Sequence, residues 1–268
     1  MSRIAAAFDR ARGENRAALV VYLCAGDPSL EATESLVLAA AEAGADVIEL
    51  GVPFSDPTAD GVAIQRASAR ALRQGATLRG VLDVARRVRT KSDVPLLLFG
   101  YYNPILRFGE SKLVQAAAEA GVDGMLVVDL PPEECGSLRT ALVERGLDYV
   151  PLVAPTTTAM RVEVVSEVAT HFLYYVSMTG VTGARAADLA DAAVRAADLE
   201  TRTGRPVAVG FGVTTPEDVR TVAARASGVV VGSAVVRQIE DADNVPDALD
   251  RVKTLVAALR AATGKGRA

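Results

Sequence analysis

With half of its 268 residues hydrophobic and 23% charged, the chain can bury a sizeable core and falls outside the disordered class. A net charge of −4 leaves no basic footprint for nucleic acid or an anionic membrane. The two cysteines, Cys24 and Cys135, and the single histidine, His171, match no zinc-motif spacing, so no metal site is expected and the thiols read as buried and reduced.

Residues 1–10 carry charges too early for a secretory apolar region and predict a short amphipathic helix. No apolar run reaches the ~20 residues needed to span a bilayer, which points to a cytoplasmic protein. Beyond the first helix, short apolar runs predict strands at 19–23, 47–50, 96–99, 125–128, 149–153, 172–176, 207–209 and 229–231. Their unbroken apolar character suits parallel strands buried on both faces. Between them, stretches rich in Ala, Glu, Arg and Leu predict helices, among them 30–43, 64–74, 111–120, 133–145 and 216–226. Three joins repeat one phrase, Gly44-Ala45-Asp46, Gly121-Val122-Asp123 and Gly146-Leu147-Asp148, in which glycine can take the left-handed cap that stops a helix. Eight strands, each followed by a helix and with no linker between them, predict an α/β fold: a (β/α)8 TIM barrel with an extra N-terminal helix, one domain over residues 1–268. The alternative, an open doubly wound sheet, expects a glycine-rich dinucleotide turn after the first strand. Ala25-Gly26-Asp27-Pro28 is not one.

A barrel of this type places its site at the C-terminal ends of the strands. The second strand ends at Glu49 and runs into Gly51-Val52-Pro53-Phe54-Ser55-Asp56-Pro57-Thr58-Ala59-Asp60-Gly61. Apolar neighbours around Glu49 raise its pKa and let it donate a proton near neutrality; the competing reading is a barrel-interior Glu paired with Arg or Lys. Asp60 reads either as its acidic partner or as the N-cap of a helix starting near Val62. Asp56 reads as a turn or surface residue. Tyr174, on the sixth strand, either hydrogen-bonds into the site or fills the barrel. Gly210-Phe211-Gly212 and Gly232-Ser233 offer backbone N–H groups after strands seven and eight. A short helix after strand eight would aim its positive end at a phosphate there. Residues 179–187, rich in Gly and Thr, read as a closing lid or as a plain exposed loop.

Glu49 to Pro57, Ala59-Asp60-Gly61 and Ile64-Gln65 resemble the signature of the tryptophan synthase α subunit family. Gly26-Asp27-Pro28, Tyr102-Asn103-Pro104, Asp129-Leu130-Pro131-Pro132-Glu133-Glu134, Gly180-Val181-Thr182-Gly183 and Gly210-Phe211-Gly212 agree in order and spacing, over nearly the whole chain. The resemblance implies a lyase of L-tryptophan biosynthesis that splits indole-3-glycerol phosphate into indole and glyceraldehyde 3-phosphate. It implies Glu49, Asp60 and Tyr174 as catalytic residues, with Tyr22, Tyr101, Leu126, Val128 and Leu152 walling the indole ring. Gly183, Gly212, Gly232 and Ser233 would hold the phosphate, Phe211 would also bind the substrate, and Thr182 would link the lid to Asp60. It further implies an α2β2 heterotetramer in which Pro53, Asp56, Asn103 and Pro104 face a β subunit. This chain would carry no cofactor, pyridoxal phosphate belonging to that partner. Thr58, Val62-Ala63 and Met178 depart from the usual family residues. Two other readings are a subunit that only activates its partner and another phosphate-binding barrel, an isomerase or epimerase of sugar phosphates.

Overall fold

Alternation within the strands decides the architecture. In the computed structural model, which describes residues 2–177, 185–210 and 212–266, the strands are β1 (Ala18–Cys24), β2 (Val47–Gly51), β3 (Leu96–Gly100), β4 (Gly124–Val127), β5 (Asp148–Tyr149), β6 (Leu152–Val153), β7 (Leu173–Val176), β8 (Val207–Gly210) and β9 (Gly228–Val231). All pair in parallel, in the order β5-β4-β3-β2-β1-β9-β8-β7-β6. On β1, Leu19, Val21 and Leu23 join an outer apolar cluster, while Val20, Tyr22 and Cys24 join an inner one. The same division puts Ile48 and Leu50 outside and Val47 inside. Both faces are buried, which is why the strands read as continuous apolar runs.

Sequence predicts one strand at 149–153, and the structure breaks it in two. Pro151 has no N–H to give to a ladder. The Val150 N–H donates to the Met125 carbonyl at 3.0 Å, and the Tyr174 N–H donates to the Pro151 carbonyl at 3.1 Å. The chain thus changes partner from β4 to β7 across the proline. Because β5 and β6 are consecutive pieces of chain at the two ends of the strand order, the sheet closes into the barrel.

Helices α1 (Arg3–Gly13), α2 (Leu30–Glu42), α3 (Val62–Arg73), α4 (Leu78–Arg89), α5 (Tyr102–Phe108), α6 (Glu110–Glu119), α7 (Gly136–Glu144), α8 (Ala159–Val168), α9 (Arg185–Thr203), α10 (Pro216–Ala223), α11 (Ser233–Glu240) and α12 (Val245–Ala261) complete the described elements. The first is the extra N-terminal helix. Its Ile4, Ala7, Phe8 and Ala11 are buried in the inner cluster and plug the N-terminal end of the barrel, with Phe8 stacked on Phe172 at 4.9 Å. The helix predicted from residue 133 starts only at Gly136, because residues 131–134 form a turn closed by the Glu134 N–H and the Pro131 carbonyl.

The repeated Gly-x-Asp phrase does more than end helices. Gly44, Gly121 and Gly146 have φ of 106°, 77° and 70°, the left-handed region that suits glycine. Each is followed by a buried aspartate that pins a neighbouring strand or loop. Asp46 accepts the Leu19 N–H at 2.8 Å and Asp123 accepts the Leu96 N–H at 2.8 Å. Asp148 accepts the hydroxyls of Thr170 at 2.8 Å and Ser2 at 2.5 Å. Arg16 grips Asp46 with two bonds of 2.6 and 2.8 Å, and Arg89 and Arg3 reach Asp123 at 2.8 and 3.0 Å. Ladder register at this end is set by charge-assisted bonds as well as by packing.

Arg16 and Asp46 are 6% and 7% exposed; Arg16 also bonds Glu14 at 2.6 Å, whereas Asp46 has no other cationic partner among the described residues, so removing Arg16 strands a buried carboxylate. Arg16→Ala is expected to lower stability by about 3–5 kcal/mol, measured by urea denaturation at neutral pH. A loss below about 1 kcal/mol, the scale of a surface pair, would show the bridge to be solvent-compensated.

Candidate active site

Register brings Glu49 to the interior. It pairs with Tyr22 of β1 on one side and Leu97 of β3 on the other, both inward-facing. The side chain is 1% exposed, and its Oε1 has no hydrogen-bond partner among the described residues. Burial alone pushes its pKa from the ordinary 4.5 up to about 8. Among the described residues no Arg or Lys pairs with it, which removes the interior ion-pair alternative.

Asp60 ends the loop that leaves β2. Its N–H donates to the Pro57 carbonyl at 3.1 Å, and the Gln65 side-chain amide donates to its carbonyl at 2.8 Å. The Ala59 N–H donates to the Tyr101 hydroxyl at 3.0 Å. Burial raises the Asp60 pKa from 3.8 to about 6, opposed by a hydrogen bond from Tyr101. The residue that precedes α3 is Gly61, with no side-chain cap, so Asp60 is not the N-cap that the sequence also allowed.

Both carboxyls border one cavity of about 320 Å³ at the C-terminal mouth of the barrel, within the usual range for small-molecule sites. Tyr22, Tyr174, Gly212, Gly232 and Ser233, all expected from the sequence, line it too. Two glycines make room for the tyrosines: a Cβ at Gly51 would overlap the Tyr22 hydroxyl, and one at Gly210 would overlap that of Tyr174. Gly232, which also lines the cavity, leads into α11 without a side-chain cap, so backbone donors of the first turn have no side-chain acceptor from that position. Gly212 has a φ of 79°, which suits glycine at this turn. A Cβ at Gly61 would lie 3.8 Å from Ser233 Oγ, which sets the Asp60 loop against the start of α11.

An ionic chain fixes that juxtaposition. Arg70 of α3 holds the buried Asp27, after β1, with bonds of 2.8 and 2.7 Å, and reaches Glu240 of α11 at 2.7 Å. Arg66, one turn earlier, holds Glu240 with two more, of 2.7 and 2.6 Å. These arginines lower the Glu240 pKa to about 2, Arg66 most strongly.

Other expected residues fall elsewhere. Tyr101 and Leu126 line a smaller apolar cavity, Val128 and Leu152 a third one, and none of the four borders the cavity of Glu49. Phe99 borders both of the first two and stands between them, its ring edge-on to Tyr22 at 5.3 Å. Leu126 still belongs to the inner cluster, with Val128 and Leu152 packed against it. Asp56 and Asn103 are exposed, Pro104 is half-buried and Pro53 is buried. Thr182, Gly183, Phe211, Met178 and the lid segment before Arg185 lie outside the described residues. Sequence reasoning missed Phe99, Ile64, Val213, Thr214, Val230 and Arg237 as lining residues. Strand alternation signals Phe99 and Val230, and the i, i+4 spacing from Ser233 signals Arg237.

A closed parallel barrel with two carboxyls and an uncapped helix start around one C-terminal cavity defines a (β/α)8-barrel enzyme site. A family model described as "Tryptophan synthase alpha chain" matches residues 8–264. The tryptophan synthase alpha chain of Geobacter sulfurreducens is 49% identical over 98% of this chain and the whole of its own length. That of Solibacter usitatus is 51% identical over 90% of each chain. The solved tryptophan synthase subunit alpha of Legionella pneumophila superposes with a TM-score of 0.90 at 37% identity, over 98% of both chains. A chain of Mycobacterium tuberculosis tryptophan synthase superposes with a TM-score of 0.89 at 35% identity, over 99% of both. The chain belongs to the tryptophan synthase alpha chain family, whose reaction is the cleavage of indole-3-glycerol phosphate.

A folded-state pKa raised from 4.5 to about 8 means that Glu49 costs stability progressively as pH rises between those values, and nothing below them. Glu49→Gln escapes this loss. Its stability relative to the parent is expected to grow by on the order of 3–5 kcal/mol between pH 4.5 and 8, read from urea midpoints across that range. A constant difference would mean that Glu49 titrates as an ordinary carboxyl.

Proposed function

We propose that the cavity bordered by Glu49 and Asp60 is where this chain performs the family's retro-aldol cleavage of indole-3-glycerol phosphate. One observation carries the assignment: a dry, unpartnered carboxyl shares its cavity with a second, more acidic one and with the open start of α11. Breaking the carbon–carbon bond requires an electron sink. Neutral Glu49 donates its proton to C3 of the indole, turning the ring into a cationic iminium. The Asp60 carboxylate accepts the ring N–H and stabilises the charge that builds there, an interaction strongest in the transition state. The electron pair of the breaking bond returns to the ring. The hydroxyl on the departing carbon loses its proton to the Glu49 carboxylate and becomes the aldehyde of glyceraldehyde 3-phosphate, which restores the neutral acid. Tyr174 lies beside the pair, and Gly212, Gly232 and Ser233 receive the phosphate at the positive end of α11. Tyr22 and Phe99 flank the flat ring.

The partner in this reading is a tryptophan synthase β subunit, in an α2β2 assembly with pyridoxal phosphate held by the partner. Exposed Asp56 and Asn103 support a docking face at the C-terminal end of the barrel. So do two apolar side chains in solvent, Val62 at 65% and Leu106 at 60% exposure. The chain acts as one barrel domain.

Indole release from indole-3-glycerol phosphate by the purified chain, alone and with a β subunit, tests the assignment; no release in either case would leave only an activating role. Glu49→Gln should abolish cleavage while leaving substrate binding intact, and retention of more than about a tenth of the rate would remove Glu49 as the acid. Asp60→Asn should slow cleavage roughly 10²-fold, and a rate within about threefold of the parent would reduce Asp60 to a loop residue. With Asp60 ionised above about 6 and Glu49 protonated below about 8, kcat/KM should be bell-shaped with limbs near those values. A flat profile across that window would contradict the pairing.

A further inference from the structure

The cavity has a charge imbalance. Its ionisable lining residues among the described ones are Glu49, Asp60, the two tyrosines and Arg237. The open end of α11 offers roughly half a positive charge, against the two negative charges of a phosphate ester and the nearby Asp60 carboxylate. Backbone donors alone leave most of that charge uncompensated.

Arg237 stands in α11 one turn beyond Ser233, and both line the same cavity. Helical side chains lean toward the N-terminus of their helix, so a long side chain at i+4 covers the turn that begins at i. Its guanidinium has no ion-pair partner among the described residues. The acid that follows it by three positions, Glu240, is already taken by Arg66 and Arg70 from α3. The other two arginines of the α3–α11 contact are therefore committed to structure, and the one that borders the cavity is not. In the same cavity, Glu49 Oε1 is buried and unpartnered, which independently marks the cavity as a place for a ligand.

From this we propose that Arg237 is the charge-selecting residue of the site. Its guanidinium reaches back over the start of α11, pairs with the phosphate and makes the site prefer a dianionic ester over a neutral or singly charged analogue. The inference rests on the assignment of the phosphate end to Gly232 and Ser233. It adds a full charge that the glycine turns cannot supply, in the form of a side chain suited to bidentate phosphate binding.

Binding of inorganic phosphate and of indole to the intact chain, measured by calorimetry, separates this role from catalysis. Arg237→Ala should weaken phosphate about 10-fold or more, with indole affinity unchanged, and Arg237→Lys should recover only part of the loss, restoring the charge without the bidentate fork. With indole-3-glycerol phosphate, the alanine variant should raise KM about 10-fold and hold kcat within about twofold, the pattern of lost ground-state binding. Unchanged phosphate affinity in the alanine variant would overturn the proposal, as would equal loss of phosphate and indole. Should the parent bind phosphate through Arg237 and yet release no indole, the cleavage assignment fails and this one stands. Should the parent cleave its substrate while phosphate affinity ignores Arg237, the role of Arg237 fails and the cleavage assignment stands.

Discussion

A carboxyl group kept dry inside an apolar barrel is the constraint around which the molecule is arranged. Glu49 sits where an aliphatic residue would pack with less cost, with one oxygen unpartnered and a pKa near 8. Such a group is tolerated because its surroundings over-determine it. Strand pairing on both sides, Tyr22 and Tyr174 seated on glycines, and a plugged barrel floor leave it no route to water except through the cavity. The nearby Asp60 meets a softer environment, in a loop with the Tyr101 hydroxyl as donor, and stays the stronger acid. Two carboxyls in unlike settings divide the work of donating a proton and bearing a charge.

The two ends of the barrel divide labour along the same line. At the N-terminal end, Asp46, Asp123 and Asp148 are each bonded to a neighbouring strand or loop, and arginines cover the first two. At the C-terminal end, polar groups are left open among the described residues: an uncapped helix, a lone carboxyl oxygen, an arginine without a counter-ion. The floor's aspartates are satisfied, although the buried His171 Nε2 beside Phe8 is not, while the groups left open at the mouth gather around one cavity.

Much of this is legible in the sequence, for identifiable reasons. Parallel strands buried on both faces announce themselves as apolar runs, and a glutamate inside such a run at residue 49 is conspicuous. The glycine turns at 212 and 232 and the short helix after them also follow from local rules. The break at Pro151 is foreseeable in kind, since proline cannot donate to a ladder, but the switch of partners across it depends on closure of the whole ring. The walls assigned to Tyr101 and Leu126 fall beyond Phe99, and those assigned to Val128 and Leu152 border a third cavity, because strand ends alone do not say which side chains meet the site. The aspartates of the Gly-x-Asp phrase escape local reasoning because their partners lie far away along the chain. Arg237 hides in an ordinary amphipathic pattern, where only the commitment of Arg66 and Arg70 to Glu240 sets it apart.

The tyrosine sockets carry an evolutionary corollary. Tyr22 with Gly51, and Tyr174 with Gly210, are lock and key within a single wall: any larger side chain at either glycine displaces the hydroxyl it receives. Neither member can drift without the other, so each pair should be inherited as one character. Among distant relatives, loss of the aromatic ring and gain of a β-carbon across from it should appear together.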